Sequence, residues 1–136
     1  KNPVLAVNNF FEQSGTIFTA DLNAVFTNNI FWGDDGIVKD EVVVNKQGSN
    51  TFTVLFNKNI YRAATDPANS ILTGNIVNGD PAFDSIDVNK SIFDFRIIKN
   101  TFSPALNTGA FTIFPKDLDD LNRNVGITDI GCFEKQ

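Results

Sequence analysis

An asparagine followed by two apolar residues recurs along this chain, and this repeat constrains the fold more than any other feature. It occurs as NNFF, NNIFW, NKNIY and GNIV, and the repeated asparagines are Asn9, Asn29, Asn59 and Asn75. These four positions are separated by 20, 30 and 16 residues. The irregular spacing excludes a repeat of fixed length, but it fits stacked coils whose corner loops differ in length.

Asparagine suits the corner of such a coil for two physical reasons. It tolerates a left-handed backbone, and asparagine side chains stacked on successive coils can hydrogen-bond along the stack. In a parallel β-helix the strands of successive coils lie about 4.8 Å apart, so equivalent residues stack and the apolar residue after the asparagine points inward. The alternative interpretation is a set of ordinary strand ends followed by turn residues.

Short strands separated by Gly, Asn, Asp and Pro account for most of the chain. No amphipathic helix is predicted, although residues 66–69 and 115–122 could each form one helical turn. Residues 33–40 are predicted to be a polar loop, and residues 45–50 a hairpin or a long corner turn. The predicted strands are residues 4–7, 16–19, 24–27, 30–32, 42–44, 51–56, 59–61, 70–72 and 95–98.

Five motifs follow one another in the C-terminal part of the chain. They are GDPAF, DFRI, SPALNTG, DLDDLNR and DIGCFE, which begin at Gly79, Asp94, Ser103, Asp117 and Asp129. In order and spacing they resemble the closing segment of bacterial surface proteins built as right-handed parallel β-helices of the pectate-lyase-like kind. That closing segment is called a choice-of-anchor Q domain.

The resemblance implies an architecture and a location. It implies an all-β, right-handed parallel β-helix in a single domain, with coils in residues 1–98 and an irregular C-terminal capping segment in residues 99–136. Pro104 would end a strand, and Ala105 and Leu106 would tuck under the last coil. It also implies a secreted or cell-surface bacterial protein.

Three positions depart from the family pattern. Asn107 stands where the family has Asp, Asp120 where it has Gly, and Phe133 where it has Tyr. These changes remove a charge and a hydroxyl, and they weaken the expectation that this ending binds a metal.

Composition excludes several classes of function. The 136 residues carry a net charge of −5, which is unlike a nucleic-acid-binding surface. No apolar run is long enough to span a membrane. The chain has no histidine, which excludes the usual His-containing serine and cysteine triads. A single cysteine, Cys132, cannot form an internal disulfide and is expected to be a small buried apolar residue.

Two acidic groups are candidates for chemistry. Asp34 and Asp35 lie in the polar loop near Asp40 and Glu41, and β-helix lyases, which this chain resembles, use carboxylate clusters with Ca²⁺ and a Lys or Arg base. The alternative is a solvated loop. The second group is a possible Ca²⁺ site, for which oxygen ligands are required; the alternative is an Asp-stabilised turn or an Asp119–Arg123 pair. Its members are Asp117, Asp119, Asp120 and Asp129.

Trp32 and Tyr61 form a candidate carbohydrate-binding platform. Each ends a strand that follows the asparagine motif, so we expect them to occupy related sites on neighbouring coils, with Asp34 and Asp35 nearby. The alternative is that both rings close the interior and place their polar edges at the rim.

Together these features predict a non-catalytic C-terminal β-helix module of a secreted or surface bacterial protein, either structural or associated with a polysaccharide. The alternative is a part of a polysaccharide lyase or glycoside hydrolase whose catalytic coils lie upstream. No cofactor is expected apart from the possible Ca²⁺. The first strands begin without an N-terminal cap, which predicts upstream coils or self-association through the uncovered first coil.

Overall fold

The computed structural model describes residues 2–33, 37–97 and 102–135. Over these residues the fold is all-β, with a single turn of 3₁₀ helix at Val88–Lys90. No helix in the described part has the length and apolar character needed to cross a membrane. The strands are β1 (Leu5–Asn8), β2 (Phe10–Gln13), β3 (Thr16–Thr19), β4 (Leu22–Thr27), β5 (Ile30–Phe31), β6 (Val42–Asn45), β7 (Phe52–Asn57), β8 (Ile60–Tyr61), β9 (Ile71–Thr73), β10 (Ile76–Val77), β11 (Ser85–Asp87) and β12 (Ile92–Asp94).

Eight of these strands form three sheets in which every pairing is parallel. β1 pairs with β6, β7 lies between β4 and β9, and β8 lies between β5 and β10. In the third sheet Ile30, Ile60 and Ile76 are opposite one another, so the partners are 30 and then 16 residues apart. These are the spacings of Asn29, Asn59 and Asn75, which confirms that the repeat records the stacking of strands.

The remaining four strands form two antiparallel hairpins. β2 and β3 are joined by Ser14 and Gly15, both with positive φ, as a tight hairpin turn requires. β11 and β12 form the second hairpin. Residues 46–51 connect β6 to β7 in different sheets, so this segment is the predicted long corner rather than a hairpin.

Two local predictions were wrong. The strand predicted at residues 95–98 is displaced, because β12 ends at Asp94 and residues 95–97 are irregular. Residues 66–69 and 115–122 contain turns instead of helix, and Lys116 and Asn122 form an isolated antiparallel bridge. In the second segment this bridge takes the place of the helical turn, and in the first the Ser70 hydroxyl donates to the Pro67 carbonyl at 2.6 Å.

The asparagines at the corner between the second and third sheets form a continuous ladder. The side-chain oxygen of Asn59 accepts hydrogen bonds from Asn29 N at 2.9 Å and Asn29 Nδ2 at 3.0 Å. The Asn75 oxygen accepts from Asn59 N at 2.9 Å and Asn59 Nδ2 at 3.1 Å in the same way. The predicted asparagine stack is therefore confirmed for these three residues.

Asn9, the fourth member of the repeat, makes different contacts. Its side chain accepts from Gln47 N at 2.8 Å and donates to the carbonyl oxygens of Gln47 and Ala20. It thus ties the corner before β7 to the end of the β2–β3 hairpin. The hairpin inserted after Asn9 explains why its spacing of 20 residues matches no strand pairing.

The left-handed backbone at the ladder corner lies one residue before the predicted position. Asn28, Lys58 and Gly74 have φ values of 58°, 56° and 57°, and each precedes a ladder asparagine. Left-handed conformation is costly for a residue with a Cβ such as Lys58. The repeated hydrogen bonds of the following asparagine hold this turn in each layer.

One face of the third sheet packs against the main apolar core. Phe26 and Phe56 stack with ring centroids 4.9 Å apart, and Phe31 meets both edge-on. Each fully buried aromatic or branched side chain contributes about 1.5–3 kcal/mol. Other core members are Val7, Val42, Val44, Val54, Tyr61 and Ala63.

The opposite face of that sheet is covered by the C-terminal segment, which we define as residues 102–135. Ile60 is fully buried there against Ala105 and Ile130, with Ile30 and Ile76 partly buried beside it. Ala105 and Leu106 pack on this face of the sheet, and their expected place under the last coil stays a prediction. Alternation of side chains along a strand explains why both faces of β8 are buried.

Candidate functional site

Trp32 and Tyr61 lie on opposite faces of the sheet and do not form a platform. Tyr61 is paired with Phe31, so the neighbour of Trp32 in the register is Arg62. The Tyr61 ring is fully buried in the main core, and its hydroxyl donates to Asp66 at 3.1 Å. Burial and the Asp66 charge raise the pKa of Tyr61 well above its usual value. The prediction of Tyr61 as a glycan contact was therefore wrong. Residues adjacent along a strand lie on opposite faces of the sheet, and the residue on the same face as Trp32 is Arg62.

Trp32 is half-buried, and the Arg62 guanidinium lies over its ring at 4.5 Å from the ring centre. Arg62 also donates to the Gly33 carbonyl at 2.7 Å, which holds the guanidinium in place. Such stacking of an arginine on an aromatic face is attractive. Its Nε is buried without a hydrogen-bond partner among the described residues.

A polar depression of about 620 Å³ surrounds this stacked pair. Trp32 and Phe83 supply aromatic surface, while Arg62, Asn78 and Asp80 supply polar groups. Asn78 is held by two hydrogen bonds to the backbone of Ala63, and Asp80 by one from Ala82 N. We call this region the Trp32 depression.

A larger groove of about 710 Å³ lies on the other side of Trp32. One wall is the edge formed by residues 27–30, and the other is formed by exposed apolar residues of the C-terminal segment. Phe111, Ile113 and Phe114 are 78%, 84% and 68% exposed. Since soluble proteins seldom expose a contiguous apolar patch without a use for it, this groove is a candidate interface. We call it the edge groove.

The acidic loop is only partly described. Asp34 and Asp35 lie outside the described residues. Asp40 accepts from Ala64 N at 2.8 Å and Thr65 N at 3.1 Å, and the buried Glu41 accepts from Val4 N at 3.3 Å. These two carboxylates therefore hold neighbouring backbone segments in place.

The four carboxylates predicted to bind Ca²⁺ do not converge. Asp117 accepts from the backbone N–H groups of Asp119, Leu121 and Glu134. Asp129 is buried and accepts from Asn107 N at 2.6 Å and Lys135 N at 2.8 Å. Within the described ranges, no group of three or more acidic, cysteine or histidine side chains could hold a metal ion.

The other two members of the predicted metal set, Asp119 and Asp120, have different roles. Asp119 makes a two-pronged ion pair with Arg96, at 2.7 Å from Nε and 2.6 Å from Nη2, instead of the expected pair with Arg123. Hydrogen bonds from Arg96 lower the pKa of Asp119 below its usual value. Asp120 is exposed and adopts a left-handed turn, with φ of 61°. The predicted metal set is a set of turn-forming and ion-pairing carboxylates.

Arg123 instead lies 3.6 Å from Glu134 and donates to the Gly131 carbonyl at 2.6 Å. Burial raises the pKa of Glu134, although a backbone N–H from Asp129 and the charge of Arg123 oppose the shift. Arg123 thus links Glu134, near the end of the C-terminal segment, to the backbone at Gly131. Its role is to hold the end of the segment in place.

Cys132 is exposed at the edge groove, which corrects the expectation of a buried residue. Partial desolvation by the groove raises the pKa of its thiol, so little thiolate exists near neutral pH. The residue is thus accessible without being activated.

Sequence reasoning missed Arg62, Phe83 and the exposed residues 111–114. Arg62 could have been found from the repeat itself, because aligning Asn29 with Asn59 places Arg62 beside Trp32. Phe83 and residues 111–114 lie outside the repeat, so no periodicity relates them to Trp32. Comparison of the chain with protein-family models, with curated proteins and with solved structures finds no match.

Proposed function

We propose that this chain is a non-catalytic module of a right-handed parallel β-helix protein, secreted or displayed on a bacterial surface, with the choice-of-anchor Q type of ending. The observation that carries the proposal is the asparagine ladder through Asn29, Asn59 and Asn75, in register with parallel strands. Hydrogen-bonded asparagine stacks form when equivalent residues of successive layers lie directly above one another.

The strand order supports three stacked coils. The first coil contains β1, β4 and β5, the second contains β6, β7 and β8, and the third contains β9 and β10. Each parallel connection returns to the next layer of the same sheets, and such crossovers are nearly always right-handed. The third coil is shorter, which agrees with the spacing of 16 residues between Ile60 and Ile76.

The C-terminal segment would serve as a flank cover for these coils. Ala110 N donates to the Asn28 side chain at 2.8 Å, and Asn28 Nδ2 returns a bond to the Ala110 carbonyl at 2.7 Å. Gly131 N donates to the Asn28 carbonyl at 2.9 Å. Asn28 thus joins the first coil to the C-terminal segment at Ala110 and at Gly131, which supports a structural role for the segment.

The hydrogen bonds and the ion pair of the acidic side chains support a non-catalytic role for the chain. Asp40, Glu41, Asp117 and Asp129 each accept hydrogen bonds from backbone N–H groups, and Asp119 is paired with Arg96. A general base needs a carboxylate within reach of a substrate proton. No described contact favours the lyase or hydrolase alternative.

Two measurements test this proposal. Antibodies against the chain should label intact cells of the source bacterium, and the purified chain should release no product from acidic polysaccharides with or without Ca²⁺. Label that appears only after permeabilisation would contradict the surface location. Release of unsaturated products would contradict the non-catalytic role.

A second candidate function is carbohydrate binding at the Trp32 depression. The observation in its favour is the combination of Trp32 and Phe83 rings with the Arg62 guanidinium and the Asp80 carboxylate in one concave surface. Binding sites for small ligands typically combine apolar walls with a few placed polar groups. Asp34 and Asp35 follow Gly33 in the sequence, so they remain candidate contacts of the same site.

A glycan array with the purified chain tests this candidate. We expect binding that is lost in Trp32→Ala and retained in Phe11→Ala, which removes an exposed ring from the β2–β3 hairpin. Both variants should first be checked for unchanged melting. Equal binding by the two variants, or none by the unaltered chain, would refute the site.

A further inference from the structure

We propose that Asn89, at the tip of the β11–β12 hairpin, is the acceptor of an asparagine-linked oligosaccharide attached by a bacterial oligosaccharyltransferase. The proposal rests on the location proposed above, because such transferases act on chains that have been exported from the cytoplasm. None of residues 87–91 lines the Trp32 depression or the edge groove, so this site is separate from both.

The first observation is the acceptor sequence. Residues 87–91 read DVNKS, so Asn89 is followed at the second position by Ser91, and the residue between them is not proline. This is the acceptor pattern for asparagine-linked glycans. Bacterial transferases also favour an acidic residue two positions before the asparagine, and Asp87 occupies that position. No other asparagine of the chain has Ser or Thr at the second position after it.

The second observation is the place of this sequence in the fold. Asn89 lies in the 3₁₀ turn Val88–Lys90, which joins β11 to β12, and it is exposed together with Lys90 and Ser91. Among the described strands, β11 and β12 pair only with each other. Glycan acceptors lie on surface loops, and a glycan attached here would leave the stacked strands undisturbed.

The third observation is that the tip is held by weak contacts. An extended backbone places residues two apart on the same side, so the turn must open for Asn89 and the Ser91 hydroxyl to enter one active site together. Asp87 accepts from Lys90 N at 3.1 Å and pairs with Lys90 Nζ at 3.1 Å, and Ser91 N donates to the Val88 carbonyl at 3.3 Å. Exposed ion pairs contribute little to stability, and exposed turns open locally at small cost. Opening also releases the Asp87 carboxylate for the transferase.

The surroundings of the tip give a glycan a physical use. Val88, Ile92 and Phe93 are 59%, 42% and 53% exposed on the same hairpin. Contiguous exposed apolar side chains favour association with other molecules, whereas an attached glycan is a bulky and solubilising surface group. A glycan at Asn89 would therefore shield this hairpin.

The attachment reaction needs neither an oxidant nor a reductant. Its co-reactant is an oligosaccharide linked to a polyprenyl pyrophosphate. Asn89 Nδ2 forms a bond to the anomeric carbon of the first sugar, while the bond from that carbon to the pyrophosphate oxygen breaks. The electron pair of the broken bond leaves with the pyrophosphate, and the proton lost from Nδ2 passes to a base of the transferase.

Transfer to the purified, folded chain tests the site directly. The chain is incubated with a bacterial oligosaccharyltransferase and a polyprenyl pyrophosphate-linked oligosaccharide that begins with an N-acetylated sugar. Cleavage on the amino side of aspartates places residues 87–93, DVNKSIF, in one peptide, and its mass reports attachment. We expect this peptide to gain one oligosaccharide, and we expect the same peptide from the native surface protein to carry a glycan.

Variants of the tip make the result specific. Asn89→Gln and Ser91→Ala should abolish attachment, and Asp87→Asn should reduce it. Ser91→Thr should retain attachment because it keeps the hydroxyl, although Thr is more strained than Ala at the Ser91 φ of 55°. A loss that only followed the stability of the turn would have the opposite order. Asn69→Gln is the control and should change nothing, since Asn69 lies in an exposed left-handed turn without the acceptor pattern.

Failure of this proposal is distinct from failure of the proposed location. If the folded chain gains no oligosaccharide at Asn89, or if Ser91→Ala is modified as fully as the unaltered chain, the acceptor site is refuted. An unmodified Asn89 in the native surface protein would also overturn it. Transfer to the purified chain does not depend on where the protein resides, so the antibody test of location is independent of this result.

Discussion

The stacked strands and the C-terminal segment are held together in different ways. From β1 to β10, order comes from repeated parallel pairing, a single ladder of asparagines and a continuous aromatic core. In residues 102–135 the only described pairing is one isolated bridge, and carboxylates and arginines bind the backbone directly. The stacked strands repeat the same asparagine hydrogen bonds from one strand layer to the next, whereas each polar contact in the C-terminal segment occurs at a single place.

This difference teaches where stability and adaptability lie. A repeated interaction distributes its free energy over layers, and each layer contacts only its neighbours. A segment held by single buried hydrogen bonds depends on each of them, because a buried group left without its partner costs about 1–3 kcal/mol. The segment can therefore vary in its exposed residues while a few buried polar residues fix its path.

The largest effect is expected for Asn59→Ala. Asn59 is fully buried, accepts from Asn29 twice, and donates to the Phe26 carbonyl and to Asn75. Its loss should lower the free energy of unfolding by about 3 kcal/mol or more. Urea unfolding measures this loss. Asn45→Ala, which removes the exposed Asn45–Asn8 bond, is the control and should cost about 0.5 kcal/mol. Equal costs would mean that the buried ladder has no special part.

A smaller and more local effect is expected for Asp129→Ala. The change removes the acceptor of two backbone N–H groups, Asn107 and Lys135, from a buried site. We expect a loss of about 2 kcal/mol, with faster amide hydrogen exchange confined to residues 102–135. Asp120→Asn, at an exposed turn, should change neither. Faster exchange across β7 and β8 would mean that the two regions unfold together.

The joint between the regions can be tested with two glycines. Gly131 and Gly126 have φ values of 118° and 113°, so alanine is strained at both. A Cβ at Gly131 would lie 3.1 Å from Ile30 Cδ1, whereas nothing lies within 4 Å of one at Gly126. Gly131→Ala should therefore cost about 1 kcal/mol more than Gly126→Ala in thermal unfolding. Equal costs would place the segment away from β5.

The smallest effect concerns the Arg96–Asp119 pair and pH. Because the folded pKa of Asp119 is lowered, the pair stabilises the fold above the ordinary carboxyl pKa of about 3.9, and this contribution is lost as pH falls through the folded value. The melting temperature of the unaltered chain should exceed that of Asp119→Asn slightly at neutral pH. The gap should close in acid, and a constant gap would contradict the ion pair.

Much of the repeat region could be predicted because its information is periodic. The strand positions followed from β-branched and aromatic runs, and the spacing of Asn29, Asn59 and Asn75 is the spacing of the paired strands. Asn9 lies outside this periodicity, because the sequence before the inserted β2–β3 hairpin resembles that of a corner. The face on which Tyr61 lies depends on the strand register, which residue type alone does not specify.

The C-terminal segment was less predictable because its contacts are neither local nor periodic. Asp119 pairs with Arg96, which is 23 residues away, instead of Arg123, which is four residues away. Asp117 and Asp129 have the spacing of possible metal ligands, but both bind backbone N–H groups. Whether a carboxylate holds a turn or an ion depends on the path of the backbone, which the composition of DLDDLNR does not specify.

The most direct test of the stacked arrangement is nuclear Overhauser spectroscopy of the asparagine side-chain amides. We expect cross-peaks from the Asn29 amide to Asn59 and from the Asn59 amide to Asn75, together with slow hydrogen exchange of the buried Asn59 amide. Contacts of Ile60 with both Ile30 and Ile76 should accompany them. An Asn59 amide that exchanges freely, without cross-peaks to Asn29 or Asn75, would contradict the stack of parallel coils.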